Sequence, residues 1–582
     1  MVRLYTRLPV GNPLNAVSHL ATRHDVTPLA GMLAARAAAH PDRRAFVFLE
    51  DGEAEGPVLT FAELDAKAQA IAAHIRLHAG PGDRAMLLYA PGLDYVAAFW
   101  GCLYAGVAAV PVYPPRDAKT AERLIAIAKD AKAKLALTTG ELLAKTGVKR
   151  WIAPGLRRMK WLATDAVPAA VAPPAPVDPA AIGLVQYTSG STGVPKGVLV
   201  TQANLAHNAS LLQAAWDASG FGPQPPTFAS WPPMYHDMGL IGKVVVPVAM
   251  GGTCVLMSPL HFLQRPARWL ELISRYRADV SAGPNFAYDL CARRVPADGL
   301  DLSCWKVALN GAEPVRADAL DRFATAFAPA GFRPEAFYPC YGMAEATLFV
   351  TGGLAQAAPT VLHLQPEALG ADRVEVGAAG LPVVGVGKPW GDQRVRIVRD
   401  GQALGEDAIG EIWVAGPSIA AGYWQRPAET AEAFGGYLGA DGPFLRTGDL
   451  GFLRAGELFV TGRLKDLVII RGRNLYPQDL EASVAVASPG LRAGGGAAFG
   501  VTIDGEERLV VVQEVDKRNP PADAKAVLRA VREALAAQHD VGLHALVLVP
   551  AGVLPKTSSG KVQRHRARER YLAGALPAWQ AP

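Results

Sequence analysis

The segment Tyr187 to Lys196 reads YTSGSTGVPK, with Gly197 and Val198 next, and it follows directly on the short apolar run Ile182 to Val185. A buried strand that feeds such a loop is built to hold an anion. Glycines let consecutive backbone N–H groups point at one centre, the hydroxyls of Thr188, Ser189, Ser191 and Thr192 rotate to donate, and Lys196 adds a mobile positive charge. A Gly/Ser loop alone is often only a turn, but four hydroxyls and a lysine together point to phosphate. The spacing is not that of a Walker loop, because Lys196 follows Pro195 and precedes Gly197 rather than Ser or Thr. That argues against kinase-type and GTPase-type chemistry.

At 582 residues the chain is too long for one core and predicts two or more domains. Half of its residues are hydrophobic and 19% are charged, the balance of a globular enzyme. The pattern predicts a βαβ unit, with strand Ala85 to Ala90, helix Leu93 to Ala105 and strand Val107 to Val112. The Ala/Pro-rich run Asp165 to Ala180 reads as a surface connection. Further predictions are a helix over Asn204 to Trp216, a strand over Trp305 to Leu309, and strands Val395 to Val398 and Glu411 to Val414 in a small β subdomain. Near the end, helices Asp479 to Val486 and Asp523 to Leu535 alternate with strands Leu509 to Val512 and Leu546 to Val549. The class is α/β. Net charge is +5 with both signs spread widely, so nothing suggests a nucleic-acid partner; the basic C-terminal run from Lys556 to Arg570 reads mostly as a solvated helix end. Cys102, Cys254, Cys291, Cys304 and Cys340 form no C-x-x-C pair, which predicts neither zinc nor disulfides and suits a cytoplasmic protein. No signal peptide is expected. The apolar stretches Ala85 to Pro115 and Val244 to Met257 are broken by proline and glycine, so no transmembrane segment is predicted, while peripheral lipid contact stays open.

The string YTSGSTGVPKGV resembles the signature loop of the adenylate-forming superfamily, which includes acyl-CoA synthetases, luciferases and nonribosomal-peptide adenylation domains. SWPPMYHDMGLIG (Ser230 to Gly242), Asn310 to Pro314, Cys340 to Thr347, FLRTGDLGFL, TGRLKDLVIIRGRNLYPQDLE and LPKTSSGKVQR match the same superfamily in the same order, nearly the whole chain. The resemblance implies a large N-terminal domain of stacked α/β subdomains plus a small β subdomain (1–464) and a small mobile C-terminal α/β lid (465–582), with the hinge at Lys465. It implies ATP, with Thr188, Ser189, Gly190, Ser191, Thr192 and Lys196 on its β- and γ-phosphates. Asn310, Gly311 and Ala312 would pack on the adenine and Tyr341 would stack on it, with Gly342 and Met343 beside the nucleotide. Asp449 would accept from the ribose hydroxyls and Arg463 would hold ribose or α-phosphate. Glu345 would bind Mg²⁺, although a carboxylate that merely satisfies a helix N-terminus reads the same. His236, with Asp237, Met238 and Gly239, would line the acyl pocket beside the carboxylate; a satisfied structural histidine is the plainer reading. Phe286 would be pocket wall or ordinary core. Lys561 corresponds to the catalytic lysine that bridges carboxylate and α-phosphate.

The Tyr-His-Asp-Met-Gly version of the pocket block resembles the fatty acyl-AMP ligase branch. So does extra chain between Phe349 and Lys388, about 362–385, similar to an insertion that packs between the two domains of that group and hinders reaction with CoA. A surface loop without consequence is the alternative. The resemblance implies ATP-dependent activation of a medium- or long-chain fatty acid to its acyl-adenylate. Transfer would follow to a phosphopantetheinylated acyl carrier protein of a polyketide or nonribosomal-peptide synthase, supplied in trans because no carrier domain is evident here. A fatty acyl-CoA synthetase is the rival, and a noncatalytic nucleotide- or acyl-binding protein the remoter one.

Overall fold

Apolar runs spaced between turns become parallel strands, and these assemble into two sheets. The computed structural model describes residues 29–115, 118–145, 156, 159–175, 178–188, 195–217, 224–378, 380–470, 473–503, 506–557 and 560–579. One sheet has the strand order Lys160–Ala163, Leu135–Thr138, Arg84–Leu88, Ala108–Val112, Ile182–Thr188, Lys196–Thr201. All its pairs are parallel except the last, which is antiparallel. The second sheet runs Lys388–Pro389, Phe349–Gly352, Phe337–Gly342, Val307–Asn310, Val280–Gly283, Thr227–Ser230, Thr253–Met257, Arg44–Leu49, Glu55–Thr60.

The helix Leu93–Ala105 lies where its pattern predicts and ends at Gly106, whose φ of 70° is a left-handed stop. A helix apolar all round must be covered on every face. It shares one core with Leu87 and Ala109 of the first sheet and with Phe228 and Leu256 of the second, so the helical layer is sandwiched between the sheets. The far face of the second sheet packs Trp231, Phe262, Trp269, Tyr288 and Phe323. Trp305 belongs to that core and precedes its strand, which starts at Val307 rather than at the tryptophan. The expected helix at Asn204 spans Gln202–Asp217.

Smaller units follow. An antiparallel sheet holds Arg394–Arg399, Gly410–Ala415, Asp441–Arg454 and Glu457–Arg463, including both strands expected of the β subdomain. The smaller C-terminal domain carries Leu491–Ile503, Glu506–Val515 and Leu543–Val549 in one sheet, with helices Pro477–Ala487 and Ala524–His539. The latter helix buries Val527, Val531 and Leu535, whereas Ala524 in its first turn is exposed.

Between Phe349–Gly352 and Lys388–Pro389 the chain makes a hairpin of Val361–Leu364 with Leu381–Val384, and the short helix Pro366–Gly370 lies within it. Leu364 and Leu369 are buried with Leu450, Phe452 and Phe459 of the small β-sheet and with Tyr476. Asn474 Nδ2 donates to Asp372 Oδ1 at 3.0 Å. The segment is therefore wedged between the small β-sheet and the start of the C-terminal domain. All five cysteines are free thiols, and among the described residues no helix is long and apolar enough to cross a membrane.

Candidate active site

The strand Ile182–Thr188 leads into the phosphate-loop sequence and the chain returns along Lys196–Thr201, with Thr188 opposite Lys196. Ser189, Gly190, Ser191 and Thr192 lie outside the described residues. The Lys196 ammonium pairs with Glu429 and lies 5.2 Å from the centroid of the Tyr423 ring. The Tyr423 hydroxyl in turn donates to Glu345 Oε1 at 3.0 Å. Tyr423 and Glu429 were not expected at the site. Their segment, GYWQRPAET, packs its backbone along the return strand, where Leu199 N–H donates to Gly422 O at 2.9 Å and Trp424 N–H to Gly197 O at 2.7 Å. The aromatic-polar mixture of that segment was the available signal.

Glu345 sits in a three-residue 3-10 turn, Ala344–Ala346. Such a turn is too short for a macrodipole to explain the carboxylate. Burial raises the Glu345 pKa, and the Tyr423 hydrogen bond and Arg463 act against it. Beside it Thr347 holds φ 68°, as Ala312 holds φ 72°, a left-handed backbone that costs a non-glycine residue about 1–3 kcal/mol and clusters at functional sites. Gly342 tolerates no side chain, since a Cβ there would lie 1.8 Å from Leu348 O. Asn310 ends its strand fully buried and donates through Nδ2 to Asn285 Oδ1 at 3.3 Å. Gly311 approaches Cys340, with a Cβ position 2.9 Å from Cys340 O.

Asp449 and Arg463 face each other across two antiparallel strands. Arg463 Nε donates to Asp449 Oδ1 at 2.8 Å, and the Tyr341 hydroxyl to Asp449 Oδ2 at 2.7 Å. The Asp449 charge, against burial, holds Arg463 above the ordinary guanidinium range. The Tyr341 hydroxyl sets next to Met343, with Sδ 3.9 Å away.

On the acyl side, His236 precedes the turn Asp237–Leu240, and its Nδ1–H donates to Asp237 Oδ1 at 2.5 Å. Met238 N–H donates to the same oxygen at 2.7 Å. Burial works to raise the Asp237 pKa, yet His236 and the charge of Lys561 hold it below the usual carboxylate value. Gly239 packs so close to Pro233 that a Cβ would lie 2.1 Å from its carbonyl oxygen. Phe286 is 37% exposed, with its ring edge-on to Trp231 at 6.0 Å between centroids. It is a rim residue rather than core.

Lys561 reaches this place from the far end of the chain. Its loop closes through Thr557 N–H donating to Lys561 O at 2.7 Å and Lys561 N–H to Thr557 Oγ1 at 3.0 Å. Gly560 comes within van der Waals range of Phe286, 3.7 Å from its ring to a Cβ position. The residue keeps solvent access, but the crowded ammonium is partly desolvated, which lowers its pKa; Asp237, Glu313 and Asp449 raise it and Arg463 lowers it further. Glu313, half-buried, was also missed as a site residue, and burial raises its own pKa. Lys465 is exposed within the 3-10 turn Leu464–Asp466, which follows the strand Glu457–Arg463.

A loop sequence of phosphate type after a buried strand, a carboxylate–arginine pair on two antiparallel strands and a lysine from the far end of the chain suit an enzyme that binds a nucleotide. Residues 33–424 match the AMP-binding enzyme family, and residues 465–581 match the Disco-interacting protein 2-like AMP domain. The medium-chain-fatty-acid–acyl-carrier-protein ligase JamA of Moorena producens is 44% identical, over 93% of this chain and 94% of its own. A fatty acid AMP ligase from Legionella pneumophila is 39% identical, with TM-score 0.73 over 95% of this chain and 98% of that one. A fatty acyl-adenylate ligase of L. pneumophila, solved with acyl adenylate and pyrophosphate, is 38% identical, with TM-score 0.72 over the same shares, 95% and 98%. The chain belongs to the AMP-binding enzyme family, on its fatty acyl-AMP ligase branch.

Proposed function

We propose that this enzyme activates a medium- or long-chain fatty acid with ATP and passes the acyl group to the phosphopantetheine thiol of an acyl carrier protein, supplied in trans by a polyketide or nonribosomal-peptide synthase. The observation that carries the reading is the gathering of Lys561 with Asp237, Glu313, Asp449 and Arg463, from distant stretches of chain, within electrostatic reach of one another. A carboxylate oxygen bonds to the α-phosphorus as the bond to pyrophosphate breaks. Lys561 stands where negative charge grows on both reacting groups, and fixed charges in a partly dry site act strongly there. His236, fixed by its Nδ1 hydrogen bond to Asp237, would stand beside the carboxylate of the acid. Asp449 and Arg463 hold the ribose, Tyr341 and the turn Asn310, Gly311, Ala312 bound the base, and Thr188 with Lys196 and the loop between them takes the leaving phosphates. Positioning and electrostatics suffice for such chemistry.

Glu345 would hold Mg²⁺, which neutralises triphosphate charge when bound. A half-buried carboxylate with a single hydroxyl donor fits it, because Mg²⁺ commonly takes one or two carboxylates plus phosphate oxygens. Among the described residues no cluster of three or more His, Cys, Asp or Glu offers a dedicated metal cage. In the second step the thiol sulfur bonds to the acyl carbon and AMP leaves. The wedged segment 362–385, between domains 1–464 and 465–582, would limit the closure that free CoA needs, and Lys465 would be the hinge. The ligase named for an acyl carrier protein supports that acceptor, and five free cysteines suit a reducing cytoplasm.

The test is mass spectrometry of products from ATP, Mg²⁺ and mixed-length fatty acids, with free CoA or with a phosphopantetheinylated carrier. Acyl-adenylate that persists with CoA and moves to the carrier is expected. Abundant acyl-CoA would make the enzyme a CoA synthetase. Unchanged biological effect of Lys561→Ala would return it to a binding role.

A further inference from the structure

The helical run after His236 carries an ionisable group that activation does not use. Asp237–Leu240 continues into the π-helical turn Ile241–Val245 and then into Val246–Met250. Such wide turns recur at functional sites, since the extra residue re-aims the side chains around it. Lys243 stands in this turn, among the buried Leu240, Ile241, Val244, Val245 and Val246. It is 1% exposed, and its Nζ has no hydrogen-bond partner among the described residues. The ammonium lies 5.3 Å from the centroid of the Phe228 ring. The ionisable groups that act on it are Cys254 and Cys340, thiols that burial pushes up to about 12 and so keeps neutral. A buried cation without an acceptor is among the costliest arrangements a core can keep, and a methionine would fill the same space without that cost.

Ser230 supplies a second donor. Along Thr227–Ser230, Phe228 belongs to the core that the Lys243 helix shares and Ala229 to the core on the other face, so strand alternation turns Ser230 to the side of Phe228. Its hydroxyl is buried and, among the described residues, unpartnered. Lys243 follows His236 by seven residues, which places it about 10 Å further along the same helical run. An acid with its carboxyl group at His236 and its chain along this run passes Lys243 part-way or ends beside it.

Resting on the fatty-acid activation proposed above, we propose that Lys243, assisted by Ser230, is a specificity site for a second oxygen function on the acyl chain, and that the preferred substrate is an acid with a distal carboxylate. A plain alkyl chain leaves the ammonium facing hydrocarbon. A carboxylate supplies opposite charge and several acceptor lone pairs at once. Hydroxyl and oxo groups share the acceptor chemistry without the charge.

The test compares kcat/KM for adenylate formation by the full-length enzyme with length-matched monocarboxylic, ω-hydroxy and α,ω-dicarboxylic acids of medium and long chain. At the best length the dicarboxylic acid is expected to exceed the plain acid by about tenfold or more. Lys243→Met should lower that acid by a similar factor while sparing or improving the plain one, and Lys243→Gln should keep part of the response to ω-hydroxy acids. Thermal melting of both variants separates lost selectivity from lost fold. A dicarboxylic-to-plain ratio near one in the wild type, or one that Lys243→Met leaves unchanged, overturns the assignment and leaves fatty-acid activation standing. No adenylate from any acid overturns the activation reading, and this one with it.

Discussion

Lys561 is one exposed lysine on a loop, and on exposure alone it would do nothing but dissolve. Its neighbours decide otherwise: three carboxylates and an arginine act on its charge. Lys561→Ala is expected to slow pyrophosphate release by about 100-fold or more, the usual loss when a donor to a developing charge is removed. Its melting temperature should stay near wild type, because an exposed lysine contributes little packing; a parallel fall in both would mark a structural residue instead. Lys243 makes the opposite case. Burial lowers its pKa to about 8 from an ordinary 10.5, a displacement equivalent to about 3 kcal/mol. Below pH 8 the lysine is charged in both folded and unfolded states and the whole penalty is present. Between the two values the unfolded chain binds more protons, so stability rises with pH. Without acid, Lys243→Met should therefore stabilise the protein below pH 8, by up to about 3 kcal/mol, and the difference should fade by about pH 11. Denaturant unfolding across that range is the check, and a pH-independent difference would mean that the ammonium is not buried in solution.

The hairpin around Pro366–Gly370 shows how one element can carry selectivity. It meets the C-terminal domain through Leu369 packed near Tyr476, Gly370 beside Asn474 and Asp372 accepting from Asn474. Removing a buried leucine side chain costs about 2–5 kcal/mol, enough to loosen the hairpin there. The pair Leu369→Ala and Asp372→Ala should leave adenylate formation intact and raise acyl-CoA made from free CoA by about tenfold, read by mass spectrometry. Acyl-CoA unchanged while hydrogen exchange shows the hairpin loosened would leave the segment a surface ornament. Elements of this kind were only partly legible in the sequence. Leu93–Ala105 and the strands beside it announced themselves because an all-apolar helix between two apolar runs has one way to be covered. The motif residues stood out because phosphate, ribose and carboxylate each demand particular side chains, and the structure brings Asp237, Asp449, Arg463 and Lys561 among them within electrostatic reach. What stayed hidden was pairing at long range. Nothing local says that Tyr423 and Glu429 meet Lys196, or that Lys243, one cation in an apolar stretch, lacks a hydrogen-bond partner among the described residues. Partners set by tertiary structure leave no periodicity behind.

At the scale of the whole molecule the two steps compete for one place. On the proposed reading the loop of Lys561, which lies against Phe286, acts in the first step, and a carrier thiol must reach the acyl carbon that this step produces. The C-terminal domain is braced internally: Arg564 donates to Glu481 at 2.7 and 2.8 Å and to Asp466 at 2.9 Å, which ties its last helix to the residue after Lys465. Moving the loop aside therefore asks for a rotation at the joint rather than bending within the small domain, and on the proposed reading Lys465, exposed in the turn Leu464–Asp466, is that joint. Proline fixes φ near the value of a 3-10 turn, so Lys465→Pro restricts the arrangements open to the joint, at a cost to the helical backbone of Leu464 before it. Adenylate formation by Lys465→Pro should stay within about threefold of wild type, while transfer to the carrier falls by about tenfold or more. The mass shift of a phosphopantetheinylated carrier in single turnover, begun from preformed adenylate, separates the steps. Transfer at the wild-type rate would mean that the thiol reaches the acyl carbon with Lys561 still in place, and that the domain need not turn.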